Sequence, residues 1–253
     1  LIKTKAVVLN SFKYTDNRLI VDLFTLDMGR MAVAVNVSTG KKSKFPKSIF
    51  TPLTLLDIEA DMKQRQGLQK LREASMSYAF TSIPFRPEKA TVALFISDFL
   101  YHALKGEQDN ASLFNFISDS IKWFDLTDNN VANFHIVFLL RLTLFLGFMP
   151  NLDHYTEGCF FDLRGSTFVN TIPPHHDFLD IRESAIVSTM MRMNYRTMHL
   201  FHLTRSQRNR LLDVLVAYYR LHLPDFPELK SLEVLRSVYS WQLYTLLHLQ
   251  RRE

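Results

Sequence analysis

Apolar and polar residues alternate with a period of two through the first 75 positions. Met31, Val33, Val35 and Val37 are interleaved with Ala32, Ala34 and Asn36, the signature of a strand buried on one face. Residues 3–11, 18–25, 30–37, 53–61 and 68–75 form five such runs. Leu26-Asp27-Met28-Gly29 reads as a hairpin turn with Gly29 at a positive φ. The adjacent Leu55 and Leu56 break the alternation and predict a bulge. Five short antiparallel strands in so few residues predict a small closed barrel, for which the OB-fold is the usual solution.

From Pro87 the period lengthens to that of a helix. Val92, Phe95, Ile96, Phe99 and Ala103 share one face, with Gly106 as the stop. Leu113, Phe116, Ile117, Ser120 and Phe124 mark a second helix. Residues 131–148 form a third, apolar nearly all round but shorter than the ~20 residues that span a bilayer, hence a core helix. Residues 151–178 are irregular. Helices resume at 181–192, at 205–221 behind a Thr204/Gln207 capping box, and at 232–249. The predicted class is α+β: an OB-fold barrel over residues 1–80, then a mainly helical domain over 81–253 with an irregular insertion at about 151–180.

Composition narrows this picture. The chain has 253 residues, 47% of them hydrophobic, and a single Cys. One Cys excludes an internal disulfide framework and any zinc site built on two or more thiolates. The N-terminus lacks the apolar stretch of a secretory signal, so a reducing, cytoplasmic setting is expected. The net charge of +5 is unevenly spread. Residues 1–75 carry +6, 76–180 carry −6 and 181–253 carry +5. Two basic ends around an acidic middle point to a polyanionic partner.

The loop at residues 38–48 concentrates that charge. Lys41, Lys42, Lys44 and Lys47 stand there without an acid, as flexible cations suited to phosphate. Arg18 and Arg30, at the starts of the second and third strands, and Arg205 and Arg208, on one side of a helix, complete the candidate nucleic-acid-binding set. Phe12, Tyr14 and Phe45 could stack on bases, but their composition favours core positions. Leu211, Val214, Leu215, Tyr218 and Leu221 are the expected buried stripe of helix 205–221, with Arg210 offset toward Asp213. His154, Cys159, His175 and His176 have the residue types of a metal site but not its spacing, so no metal and no cofactor is expected. No phosphate-binding glycine loop or catalytic motif occurs, and no catalytic residue is assigned.

The run from Tyr14 to Thr25, followed by Asp27-Met28-Gly29-Arg30, resembles the N-terminal signature of the RecO family. The basic loop, Phe138-Leu139-Leu140-Arg141-Leu142, Leu146-Gly147-Phe148, Pro150-Asn151-Leu152 and Leu229-Lys230-Ser231-Leu232 are similar to later family segments, in the family's order. The resemblance implies an OB-fold, binding of single- and double-stranded DNA, strand annealing and indirect assistance to RecA. It implies RecR and the C-terminal tail of single-stranded-DNA-binding protein as partners. A pocket with a local cation would suit that acidic, aromatic-ended tail, and Phe138, Arg141, Leu142 and Phe145, or Arg192 and Arg196, are the candidates. Many members carry two Cys pairs of a zinc ribbon where this chain has Tyr155, Gly158 and a lone Cys159, so the insertion is expected to be a degenerate, zinc-free ribbon. The alternatives are an OB-fold RNA- or translation-associated protein and a His-rich hydrolase centred on His154, His175 and His176.

Overall fold

The period-two segments close into a barrel. The computed structural model describes residues 1–37, 45–61, 67–128 and 131–237. Strands β1 (Ile2–Thr15), β2 (Arg18–Thr25), β3 (Gly29–Asn36), β4 (Leu55–Asp61) and β5 (Leu68–Met76) pair in the order β1-β2-β3-β5-β4, and β4 returns to β1. The β3–β5 pairing is parallel and the other four are antiparallel. The product is an OB-like five-stranded barrel. Alternate residues of β2 and β3 (Leu19, Val21 and Leu23 facing Met31, Val33 and Val35) fill its interior with Phe45 and Phe50.

The bulge lies elsewhere than the sequence predicts. Leu55 and Leu56 are both buried because the start of β4 is covered on both faces, whereas Asp57 beyond them is exposed. The register instead shifts between Glu59 and Ala60, and β1 shifts between Val8 and Asn10 and between Lys13 and Thr15. β4 begins at Leu55 rather than 53, because Leu53 has a φ of 63° and cannot continue a strand.

The described chain groups into two compact units, Leu1–Leu126 with the segment from Glu228, and Thr127–Pro227. In the first, helix α1 (Pro87–Ala103) packs on the barrel, and its Ser97 donates to the Leu9 carbonyl at 2.6 Å. All five residues expected on its apolar face are buried. Helix α2 (Ala111–Leu126) ends at a buried polar knot that tethers the connecting segment. Asp125 accepts from the backbone N–H of Thr81, Ser82 and Ile83 at 2.8–2.9 Å and from the Tyr78 hydroxyl at 3.1 Å. Lys89, with none of its surface exposed, donates to Ser82 Oγ and to the carbonyls of Phe124 and Asp125. Burial alone would raise the Asp125 pKa, but the backbone donors overcome it and hold the carboxyl at about 2.

The second unit holds α3 (Phe134–Phe145), α4 (Ile181–Met190) and α5 (Arg205–His222). A three-stranded sheet is ordered β7-β6-β8, with β6 at Phe160–Asp162, β7 at Thr167–Val169 and β8 at Phe178–Leu179. Helix α3 is shorter than the apolar run at both ends, stopping before Gly147 at φ 83°. The Thr204/Gln207 capping box opens α5 as expected. The buried stripe of α5 is rotated from the expected one: Leu212, Leu215, Val216, Tyr218 and Tyr219 are buried, whereas Leu221 is exposed. Tyr219 can face inward because its hydroxyl donates to the Leu139 carbonyl at 2.8 Å. Of the helix expected at 232–249, residues 230–237 are described and helical, and the remainder lies outside the described residues. No helix among the described residues is long and apolar enough to cross a membrane.

Candidate nucleic-acid interface

The outward positions of the barrel strands build an open, basic face. Pairing places Ile20 of β2 opposite Phe12 of β1 and Ala34 of β3, and Ala34 opposite Lys70 of β5. On one side of that row Arg18 is opposite Asn36; on the other Ala32 is opposite Asp22 and Leu68. The alanines leave the middle of the sheet shallow, while Arg18, Lys70 and Arg72 stand around it. Together with Asn36, Leu68 and Ala34 these cations line a groove of about 490 Å3 whose lining includes no Asp or Glu. Arg18 and Lys70 are exposed and have no side-chain partner among the described residues; Arg72 pairs with Asp61 at 2.6 Å.

Phe12 and Tyr14 are exposed at 44% and 64%. This corrects the expectation that they are core. Val8 points into the barrel, and the register shift after it reverses the alternation, so that Phe12 falls on the outer face opposite Ile20. Exposed rings next to unpaired cations are the elements of a single-strand platform. Phe45 is buried in the barrel, as its composition suggests. A larger hollow of about 650 Å3 on the same barrel is lined by Asp27, Asp57, Glu59 and Glu73 against Lys3 and Lys5, a balance that repels phosphate.

The other candidates are scattered. Lys41, Lys42 and Lys44 lie outside the described residues, and Lys47 is exposed in the 3-10 turn Lys47–Phe50. Arg30 is turned inward: its guanidinium pairs with Asp22 at 3.3 Å, donates to the Tyr101 carbonyl and lies 4.3 Å from the Tyr101 ring centre. Arg208 donates to the Leu203 carbonyl at 2.9 Å and to Asn133, and Arg205 is half-buried. Arg210 pairs with Glu183 at 2.6 Å rather than with Asp213. Phe138 and Leu142 are fully buried, Arg141 donates to the Met193 carbonyl, Phe145 is half-buried, and Arg192 and Arg196 are exposed. Sequence reasoning missed Lys70 and Arg72, although their period-two spacing on β5 was visible.

The irregular insertion does not suit zinc. Cys159 is buried in an apolar cluster with Phe161, Leu163 and Phe168. His154 and His176 are exposed, and His175 lies 3.4 Å from Asp162. Among the described residues no group of three His, Cys, Asp or Glu side chains is placed to hold a metal.

The barrel defines an OB-like protein with an exposed groove whose lining holds Arg18, Lys70 and Arg72 and no Asp or Glu. Comparison with known proteins specifies the kind. Residues 1–80 match the model for the N-terminal part of recombination protein O, and residues 84–233 match that for its C-terminal part. The chain belongs to the RecO family. It is 44% identical over 238 residues to DNA repair protein RecO of Phocaeicola vulgatus, covering 94% of this chain and 99% of that one. It is 43% identical to the Bacteroides fragilis protein of that name, covering 94% and 98%, and 35% identical to that of Flavobacterium psychrophilum, covering 94% and 99%.

Proposed function

We propose that this chain is a non-enzymatic DNA repair and recombination mediator that binds single- and double-stranded DNA, anneals complementary strands and assists RecA loading. The observation that carries this reading is the acid-free groove of Arg18 and Lys70, with Phe12 and Tyr14 beside it, on the OB-like barrel of a RecO-family chain. Phosphate contacts from unpaired side chains supply affinity without sequence preference, and exposed rings hold bases unstacked for pairing. RecR and the tail of single-stranded-DNA-binding protein are the proposed protein partners. With Phe138 and Leu142 buried, Arg141 and Phe145 remain as candidates for the tail.

The test is fluorescence anisotropy of labelled oligodeoxythymidine across a salt series, with an annealing assay in parallel. Arg18→Ala with Lys70→Ala removes two contacts. Each contributes about 0.7 to the salt slope, so the slope should fall by about 1.4 and affinity at 0.1 M salt by about 25-fold. An unchanged slope with unchanged annealing would overturn the assignment of this face.

A further inference from the structure

Between residues 184 and 212 the chain has no Asp or Glu, yet it carries Arg192, Arg196, Arg205, Arg208, Arg210, His199 and His202. The fold uses some of these cations. Arg208 is bound to a carbonyl, and Arg210 is paired with Glu183. Arg192 and Arg196 are not used: both are exposed, and neither side chain has a partner among the described residues. His199 and His202 are exposed beside them, with Leu200 at 63% between.

The segment that presents these groups is pinned from below. Asn133 Nδ2 donates to the carbonyls of Met198 and Phe201 at 3.0 and 2.8 Å. Asn194 Oδ1 accepts from the backbone N–H of Arg196 and Thr197, and Tyr195 stacks on Phe134 at 5.2 Å. A pinned backbone reduces the ordering cost of a contact, and unpaired guanidinium groups lose no protein partner on meeting phosphate.

We infer that the loop joining α4 to α5 is a second binding surface for single-stranded nucleic acid, with Arg192 and Arg196 on the phosphates and the rings of His199 and His202 available to bases. The inference rests on the reading that this chain binds DNA, and it adds a site on the compact unit that does not contain the barrel. An acidic peptide with an apolar anchor fits less well. The adjacent apolar groove of about 550 Å3 would take the anchor, but the cation lining it, Arg210, is already neutralised by Glu183. The free arginines lie along the loop instead, an arrangement suited to a linear polyanion.

The experiment uses the full chain. Short labelled oligodeoxythymidine is titrated at low salt to stoichiometry, and the salt slope is measured. The variants are Arg192→Ala with Arg196→Ala, Arg18→Ala with Lys70→Ala, and all four together. The thermal midpoint of each is recorded, because exposed arginines should be replaceable without loss of fold. The wild type should take two oligonucleotides per chain, each double variant one, and the quadruple variant none. A loop variant that keeps both equivalents and its slope overturns the inference, as does one that loses binding to a glutamate-rich peptide while oligonucleotide binding is intact. If one equivalent binds and only the barrel variant abolishes it, the loop site is refuted and the barrel stands. If only the loop variant loses binding, the barrel assignment fails and the loop stands.

Discussion

Asp125→Asn is nearly isosteric, and the structure gives it a large effect. One carboxylate oxygen accepts from Ser82 N at 2.9 Å and Ile83 N at 2.8 Å; an asparagine carbonyl can keep those bonds. The other accepts from Thr81 N, Thr81 Oγ1 and Tyr78 OH, where an amide nitrogen would face donors. The two hydroxyls can rotate to accept, but the Thr81 N–H cannot. A pKa held at about 2, against an ordinary 3.8, corresponds to about 2.5 kcal/mol favouring the ionised form in the folded state. The Thr81 N–H bond is already part of that figure, being one of the bonds that depress the pKa. A loss of about 2.5 kcal/mol follows, measurable as a lower urea midpoint at unchanged m. The sign with pH is fixed: a depressed carboxylate stabilises fully above about pH 4 and loses that contribution as pH falls through about 2. The variant should therefore lack this part of the wild-type acid limb. A cost under about 1 kcal/mol, or an unchanged acid limb, would refute the view that charge and backbone donors hold this knot together.

Gly29 has a φ of 65°, and an added Cβ would lie 2.4 Å from the backbone carbon of Gln108. Gly29→Ala should cost about 3 kcal/mol or more by thermal unfolding, whereas Gly158→Ala, at φ 88° with nothing within 4 Å, should cost only the ~1 kcal/mol of the backbone conformation. His135 is fully buried, and burial, aided by the charge of Arg208, pushes its pKa down to about 3. Stability should fall by up to about 1.4 kcal/mol per pH unit as pH drops below about 6.5, where only the unfolded chain takes up the proton, and His135→Leu should flatten that slope in urea titrations.

The parts of the fold legible in the sequence are those set by local periodicity. β3 alternates cleanly, so both its existence and its inward face follow from Met31 to Val35. The apolar face of α1 and the Thr204/Gln207 box are equally local. What escaped depends on partners far along the chain. Lys89 sits on a helix and looks like any surface lysine, until Phe124 and Asp125 supply carbonyls from 35 and 36 residues away. The rotation of α5 depends on Tyr219 finding the Leu139 carbonyl 80 residues earlier. The exposure of Phe12 depends on a register shift that no composition rule announces.

The candidate interface was only partly legible for a related reason. Charge counted along the chain treats every cation as available, but the fold divides them into two groups. Lys89, Arg30, Arg208 and Arg210 are bound to carbonyls, carboxylates or both. Arg18, Lys70, Arg192 and Arg196 have no side-chain partner among the described residues. A bound cation must give up its internal partner to reach a phosphate, so it adds little to affinity and nothing to the salt slope; a free one adds about 0.7 for a single strand. Among the described arginines and lysines, the dependence on salt should therefore follow the partnerless side chains and not the net charge. Replacing Arg30 or Arg208 should lower stability before it lowers that slope.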